Sequence, residues 1–105
     1  MMLFVYIHGL TGRVFKILPL REEMEEGRET HLEEYVSSLA RDAFGALTTF
    51  PELQEMSDYI TVVNILQYFD TAGVELSACK QEVFKMLKIL NRIEKRLQEG
   101  GGVSV

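Results

Sequence analysis

Tryptophan is absent from the chain, and cysteine (one), histidine (two) and proline (two) are scarce. The lone Cys79 excludes an intrachain disulfide framework and any Cys-x-x-Cys motif, which fits a reducing compartment. His8 and His31 have neither the HExxH nor an i, i+4 metal-binding spacing. No glycine-rich loop carries the Lys-Ser/Thr pair that cradles phosphate. The glutamates between residues 22 and 34 lack the alternating oxygen-ligand and glycine pattern of a calcium loop. The longest uninterrupted apolar run, Met1–Ile7, is far short of a bilayer span. It has no basic region ahead of it and no small-residue cleavage site, so it does not read as a signal peptide. These absences point away from an enzyme and predict no cofactor, no metal and no membrane partner. They leave a soluble cytoplasmic protein as the expectation.

What remains is an ordinary globular mixture, with 47% hydrophobic and 26% charged residues over 105 positions. That length suits one domain, expected over 1–99 with a tail over 100–105. The net charge of −5 is laid out unevenly. Residues 1–21 carry +3, residues 22–75 carry −11, and residues 76–105 carry +3. A chain with an acidic middle and basic ends is electrostatically self-complementary, within one molecule or between two.

The segment that organises the rest is Asp58–Asp70, DYITVVNILQYFD, with eight apolar residues among thirteen. Its polar residues fall every third position, which on a helix suggests no solvent face and predicts a central helix apolar on nearly all sides. A buried strand over Tyr59–Leu66 is the rival reading, since β-branched and aromatic residues suit strands. The persistence of the apolar character and the capping-box spacing of Thr49-Phe50-Pro51-Glu52 favour helix.

Met2–His8 and Arg13–Leu18 read as two strands joined by a Gly9–Gly12 turn, with Pro19 ending the second. The expectation is a β-hairpin over 2–18, followed by an acidic link over 21–29. Thr30-His31-Leu32-Glu33 has the spacing of a capping box opening a helix over about 31–45, whose stripe is Leu32, Tyr35, Val36, Leu39, Ala43 and Leu47. A second helix is expected over about 51–70, with Ser57-Asp58 as a possible break and Gly73 as its stop. Ser77 is placed to cap the last helix, about 78–98, with the stripe Val83, Met86, Leu87, Leu90, Ile93 and Leu97. The predicted fold class is therefore α+β: an N-terminal hairpin packed on a three-helix unit with a central apolar helix.

Two short resemblances bear on function. Val5–Gly12, VYIHGLTG, resembles the strand and loop of α/β-hydrolases, which implies a place near an oxyanion hole for His8 and Gly9. The nucleophile elbow of that family, Gly-x-Ser-x-Gly, occurs nowhere in the chain. Val63–Leu87 resembles the opening of a winged-helix DNA-binding domain, but no separate recognition helix and wing follow it. That resemblance implies phosphate contacts from Arg92, Lys95 and Arg96. Lys85 and Lys88 extend the same basic face, which as the solvated side of an amphipathic helix needs no ligand.

Cys79, in the first turn of the last helix, reads as a small half-buried residue in preference to a reactive thiol. The apolar surface exceeds what so few elements can cover, which predicts a protein–protein interaction or accessory protein of the kind carried by bacterial or phage genomes. Self-association is expected, a dimer before other states, with a different protein partner as the variant and nucleic acid as the alternative ligand. The expected contact residues are Phe4, Tyr6 and Phe15 on the hairpin and Phe84, Leu87, Ile89, Ile93 and Leu97 on the last helix.

Overall fold

A computed structural model describes residues 2–73 and 76–103, and every regular element among them is helical. Helix α1 (Met2–Phe15) runs through a bend at Lys16 into α2 (Ile17–Glu25). Then follow α3 (Leu32–Thr49), a 3-10 turn (Pro51–Glu55), α4 (Ser57–Ala72) and α5 (Leu76–Val103). The helices lie as four staves in a rod of 52 × 21 × 19 Å, with α1 and α2 together making one stave. Stave neighbours are α1 with α5, α5 with α4, α4 with α3, and α3 with α1 and α2.

The expected N-terminal β-hairpin is absent, and the reason lies in the spacing of the buried residues. Ile7, Leu10, Val14 and Ile17 are buried at intervals of three and four, the period of a helix face. β-Branched and aromatic residues made the segment look strand-like, but burying this face against α5 and α3 overrides a propensity worth about 1 kcal/mol. Gly9 and Gly12 sit inside the helix on its exposed side and form no turn. Pro19 bends the stave without ending it. Lacking an N–H, it leaves the Phe15 carbonyl without its i+4 donor, so the break falls at Lys16. The ladder resumes at once, with Leu20 N–H donating to the Lys16 carbonyl at 3.3 Å.

The acidic segment after it is also helical as far as Glu25, and its stop is well defined. Gly27 takes φ +89°, its N–H donates to the Met24 carbonyl, and Arg28 N–H donates to the Glu23 carbonyl at 3.0 Å. That pair of bonds is a Schellman close, which needs a positive φ that glycine adopts without strain.

Asp58–Asp70 is helical as expected, but α4 is one stave among four and is not sheathed on all sides. Three-residue spacing drifts by only about 60° per step. Asp58, Thr61, Asn64 and Gln67 therefore sweep half a turn and do make an outer face, with Asn64 and Gln67 exposed. Tyr59, Val62, Val63, Leu66 and Phe69 fill the opposite half and are buried. Each such side chain contributes about 1.5–3 kcal/mol when withdrawn from water.

Helix boundaries moved as well. α3 continues past Gly45 to Thr49, and Pro51–Glu55 is a separate 3-10 turn. The capping boxes do not form. His31, in a left-handed conformation (φ 53°), is the residue before α3 and makes no side-chain cap bond, while Thr30 Oγ1 is buried without a partner. α4 starts after Met56, again without a side-chain cap. Gly73 closes α4 with φ +90°. Its ψ of 166° lies outside the left-handed helical well. The last helix begins before the expected Ser77 cap and extends into the glycine run expected to be tail. Val74, Glu75 and the end of the expected tail lie outside the described residues.

Candidate interaction surface

α1 and α5 form the most extensive helix pair, and they run antiparallel. Glu94 of α5, mostly buried, ties them: it accepts from Thr11 Oγ1 at 2.9 Å and lies 2.8 Å from His8 Nδ1. Expected contact residues from the two ends of the sequence are thereby brought onto one side of the rod. Phe15 and Phe84 are each more than half exposed there, and Leu87 and Leu97 are half-buried. Phe4 stacks along the His8 ring, with centroids 6.0 Å apart. An open depression of 590 Å³ runs beside Phe84, Leu87 and Asn91.

Three of the expected contact residues have other roles. Ile89 and Ile93 are buried in the chain's own core, so neither is available to a partner. α5 packs against α1 on one flank and α4 on the other, so its buried sector is wider than a two-helix seam and takes in Ile89. Tyr6 is half-buried, tilted against Phe50, and its hydroxyl lies 3.2 Å from that of Tyr59. The Tyr59 hydroxyl in turn donates to the Ala43 carbonyl, so three staves meet at one pair of phenols, of which Tyr59 is buried.

α1 also exposes an uncharged outer face, in which Met2 and Val5 are more than half exposed beside Gly9 and Gly12. By length and composition Met2–Glu25 is apolar enough to cross a membrane. Within the bundle it is tied by Arg13 to Asp42 (2.9 Å) and by the Tyr35 hydroxyl to the Arg13 carbonyl (2.7 Å).

The fold also sorts charge. The α1–α2 stave balances Arg13, Lys16 and Arg21 against Glu22, Glu23 and Glu25, and six bases against three acids on α5 give the α1–α5 layer a net +3. Residues 32–73, which form the α3–α4 layer, carry seven acids against Arg41, a net −6. Arg92 and Arg96 lean toward Asp58 at 3.8 and 3.7 Å, whereas Lys85, Lys88 and Lys95 are exposed without an ion pair among the described residues. The acids of the α2–α3 connection do not reach these bases. Glu23 and Glu26 face Arg28, and Glu29 and Glu34 face His31.

The sequence reading missed further uncovered aromatics, on α3 and α4. Phe44 of α3 and Tyr68 of α4 are each more than half exposed, Tyr68 beside Asn64 and Ile65 and, on α5, Glu82. The signal was present: Phe44 falls off the Val36–Leu39–Ala43–Leu47 stripe, and apolar residues off a stripe mark a second contact.

Chemistry on the chain is sparse. Cys79 is buried, and burial pushes its thiol above the ordinary value, the opposite of an activated nucleophile. His8 and His31 lie on different staves, each beside a carboxylate on the exposed surface. Among the described residues no group of three metal-capable side chains is assembled.

Compared with protein-family models, curated proteins and solved structures, the chain matches none.

Proposed function

We propose that the chain is a non-enzymatic accessory protein that works by protein–protein contact and associates with itself. The observation that carries this reading is the set of large apolar side chains left outside a core that is already complete. Phe15, Phe44, Tyr68 and Phe84 are each more than half exposed, while no charged side chain is fully buried among the described residues. Exposed aromatics on opposite sides of a narrow rod are a poor arrangement for a solitary molecule and a good one for an assembly.

Sedimentation velocity from micromolar to millimolar protein tests it. The mass should rise above that of one chain with concentration, and Phe15→Glu with Phe84→Glu should return it to one chain without loss of helical circular dichroism. A single-chain mass throughout the wild-type series would dispose of the reading.

The basic excess of α5 favours one other ligand, nucleic acid, with Lys85, Lys88 and Lys95 as phosphate contacts beside Arg92 and Arg96. α4 and α5 are adjacent antiparallel staves, so such contact would follow the backbone of a duplex without inserting a recognition helix. Gel shifts over a salt series should then show log affinity falling with a slope of about 0.9 per phosphate neutralised. Lys88→Glu with Lys95→Glu should abolish the shift.

A further inference from the structure

We propose that copies of this chain join front to back, the α1–α5 face of one seated on the α3–α4 face of the next. The inference rests on the self-association reading and adds to it which surfaces meet. A two-fold pairing of the α1–α5 face with itself would set Lys16, Lys85, Lys88 and Lys95 against the same lysines of the second copy. α5 offers few carboxylates to relieve that, since Glu94 is already held by His8 and Thr11. Like charges facing each other across an interface cost several kcal/mol. On the other side of the same molecule Asp42 and Asp58 are turned to Arg13, Arg92 and Arg96, and Glu33, Glu34, Glu52, Glu55 and Asp70 against Arg41 leave a net −4, the complementary surface.

The anatomy of the α3–α4 face agrees. Its middle carries Phe44 on the outer stripe of Ser37, Arg41 and Thr48, with Arg41 as the one charge there. Its acids stand at one end in Glu33, Glu34 and Asp70, beside a recess of 490 Å³, and at the other in Glu52 and Glu55. An aromatic centre within a charged rim is the usual plan of a protein interface. α3 has 18 residues, so the acidic face is about 27 Å long and roughly 20 Å wide, a footprint on the order of 500 Å². That is smaller than the roughly 800 Å² per partner of a stable complex and belongs with weak contacts that form as concentration rises. Because the two faces lie on opposite sides of the bundle, such contacts do not close after two copies. They generate a stack that grows with concentration.

Two charge-reversal variants test this, each checked for native helical circular dichroism. One is Lys88→Glu with Lys95→Glu on α5; the other is Glu34→Lys with Asp70→Lys on the acidic face. In sedimentation velocity at low salt, the wild type should pass beyond two chains and each variant alone should remain a single chain. An equal mixture of the two should regain association, because the native faces remain complementary and the two reversed faces are again opposite in charge. A stable dimer of either variant alone would show a face pairing with its own kind and overturn the front-to-back arrangement, with self-association left standing. A mixture of folded variants that stays monomeric would overturn it too. A wild type that never exceeds one chain would remove both this inference and the reading beneath it.

Discussion

Gly12→Pro should unfold the protein or nearly so, and Gly12→Ala should stabilise it. In a hairpin turn the first change would be tolerated; in the third turn of α1 it is not. Proline at 12 removes the N–H that donates one turn back and drives its ring into the carbonyl of residue 8, a cost of about 3 kcal/mol or more. Domains of this size have about 5–15 kcal/mol in total. The loss also falls on the stave whose Ile7, Leu10, Val14 and Ile17 line the core, so packing fails with the backbone. Alanine at the same place meets nothing, since no atom lies within 4 Å of the added Cβ. Alanine is favoured over glycine in a helix by about 1 kcal/mol, which raises the melting temperature by roughly 4–8 °C in a domain near this size. Thermal melts at low concentration decide the matter, where assembly does not contribute. A proline variant as stable as the wild type would mean that residues 2–15 are not a helix.

That contrast marks where the sequence was hard to read. α3 was legible because its outer positions are charged and its stripe is clean: Leu32, Val36, Leu39 and Ala43 are buried as their spacing predicts. α1 has the same spacing but no charged residue between Met2 and Gly12 to mark the other side, so nothing separated a helix face from a strand apolar on both sides. α4 is legible as a helix but not as an outer stave, because a polar residue every third position suggests a ring around the axis. Over nine residues it covers half of it. The caps failed for a different reason. Thr30 and Ser57 have suitable types and positions, yet His31 and Met56 occupy the boundary residues, and cap geometry depends on how the chain enters the helix. The contact surface was half legible. Phe84 stands off the α5 stripe and is exposed; Ile89 is also off it but is buried, since α4 and α1 flank α5 on both sides. Which stave neighbours which is a property of the whole fold, and no local pattern encodes it.

Raising the pH above about 10 should destabilise the protein steeply, and Tyr59→Phe should flatten that loss. Tyr59 is fully buried, with its hydroxyl donating to the Ala43 carbonyl and accepting from Tyr6. Burial, the largest cause, pushes its phenol well above the ordinary 10.0, and the Tyr6 hydroxyl adds to the shift. Desolvation raises Tyr6 and Tyr35 in the same direction, and the Cys79 thiol from its ordinary 9.0. The sign follows from proton binding. Above its ordinary value each group loses its proton in the unfolded chain but keeps it in the native one, so the native state binds more protons and stability falls as pH rises. The contribution is whole below the unfolded value and disappears as pH climbs toward the native one, at up to about 1.4 kcal/mol per pH unit for a single group. Urea melts should therefore give a plateau through neutral pH, a gentle decline from about pH 9 as Cys79 begins to count, and a steep one above pH 10. Tyr59→Phe should cost about 1 kcal/mol at neutral pH, because the Ala43 carbonyl and the Tyr6 hydroxyl each lose a partner. Its alkaline limb should be shallower, so the stability gap between variant and wild type narrows with pH and then reverses. Parallel curves would mean that the Tyr59 hydroxyl is not held away from water, and the three-stave junction at Tyr6, Ala43 and Tyr59 would have to be abandoned.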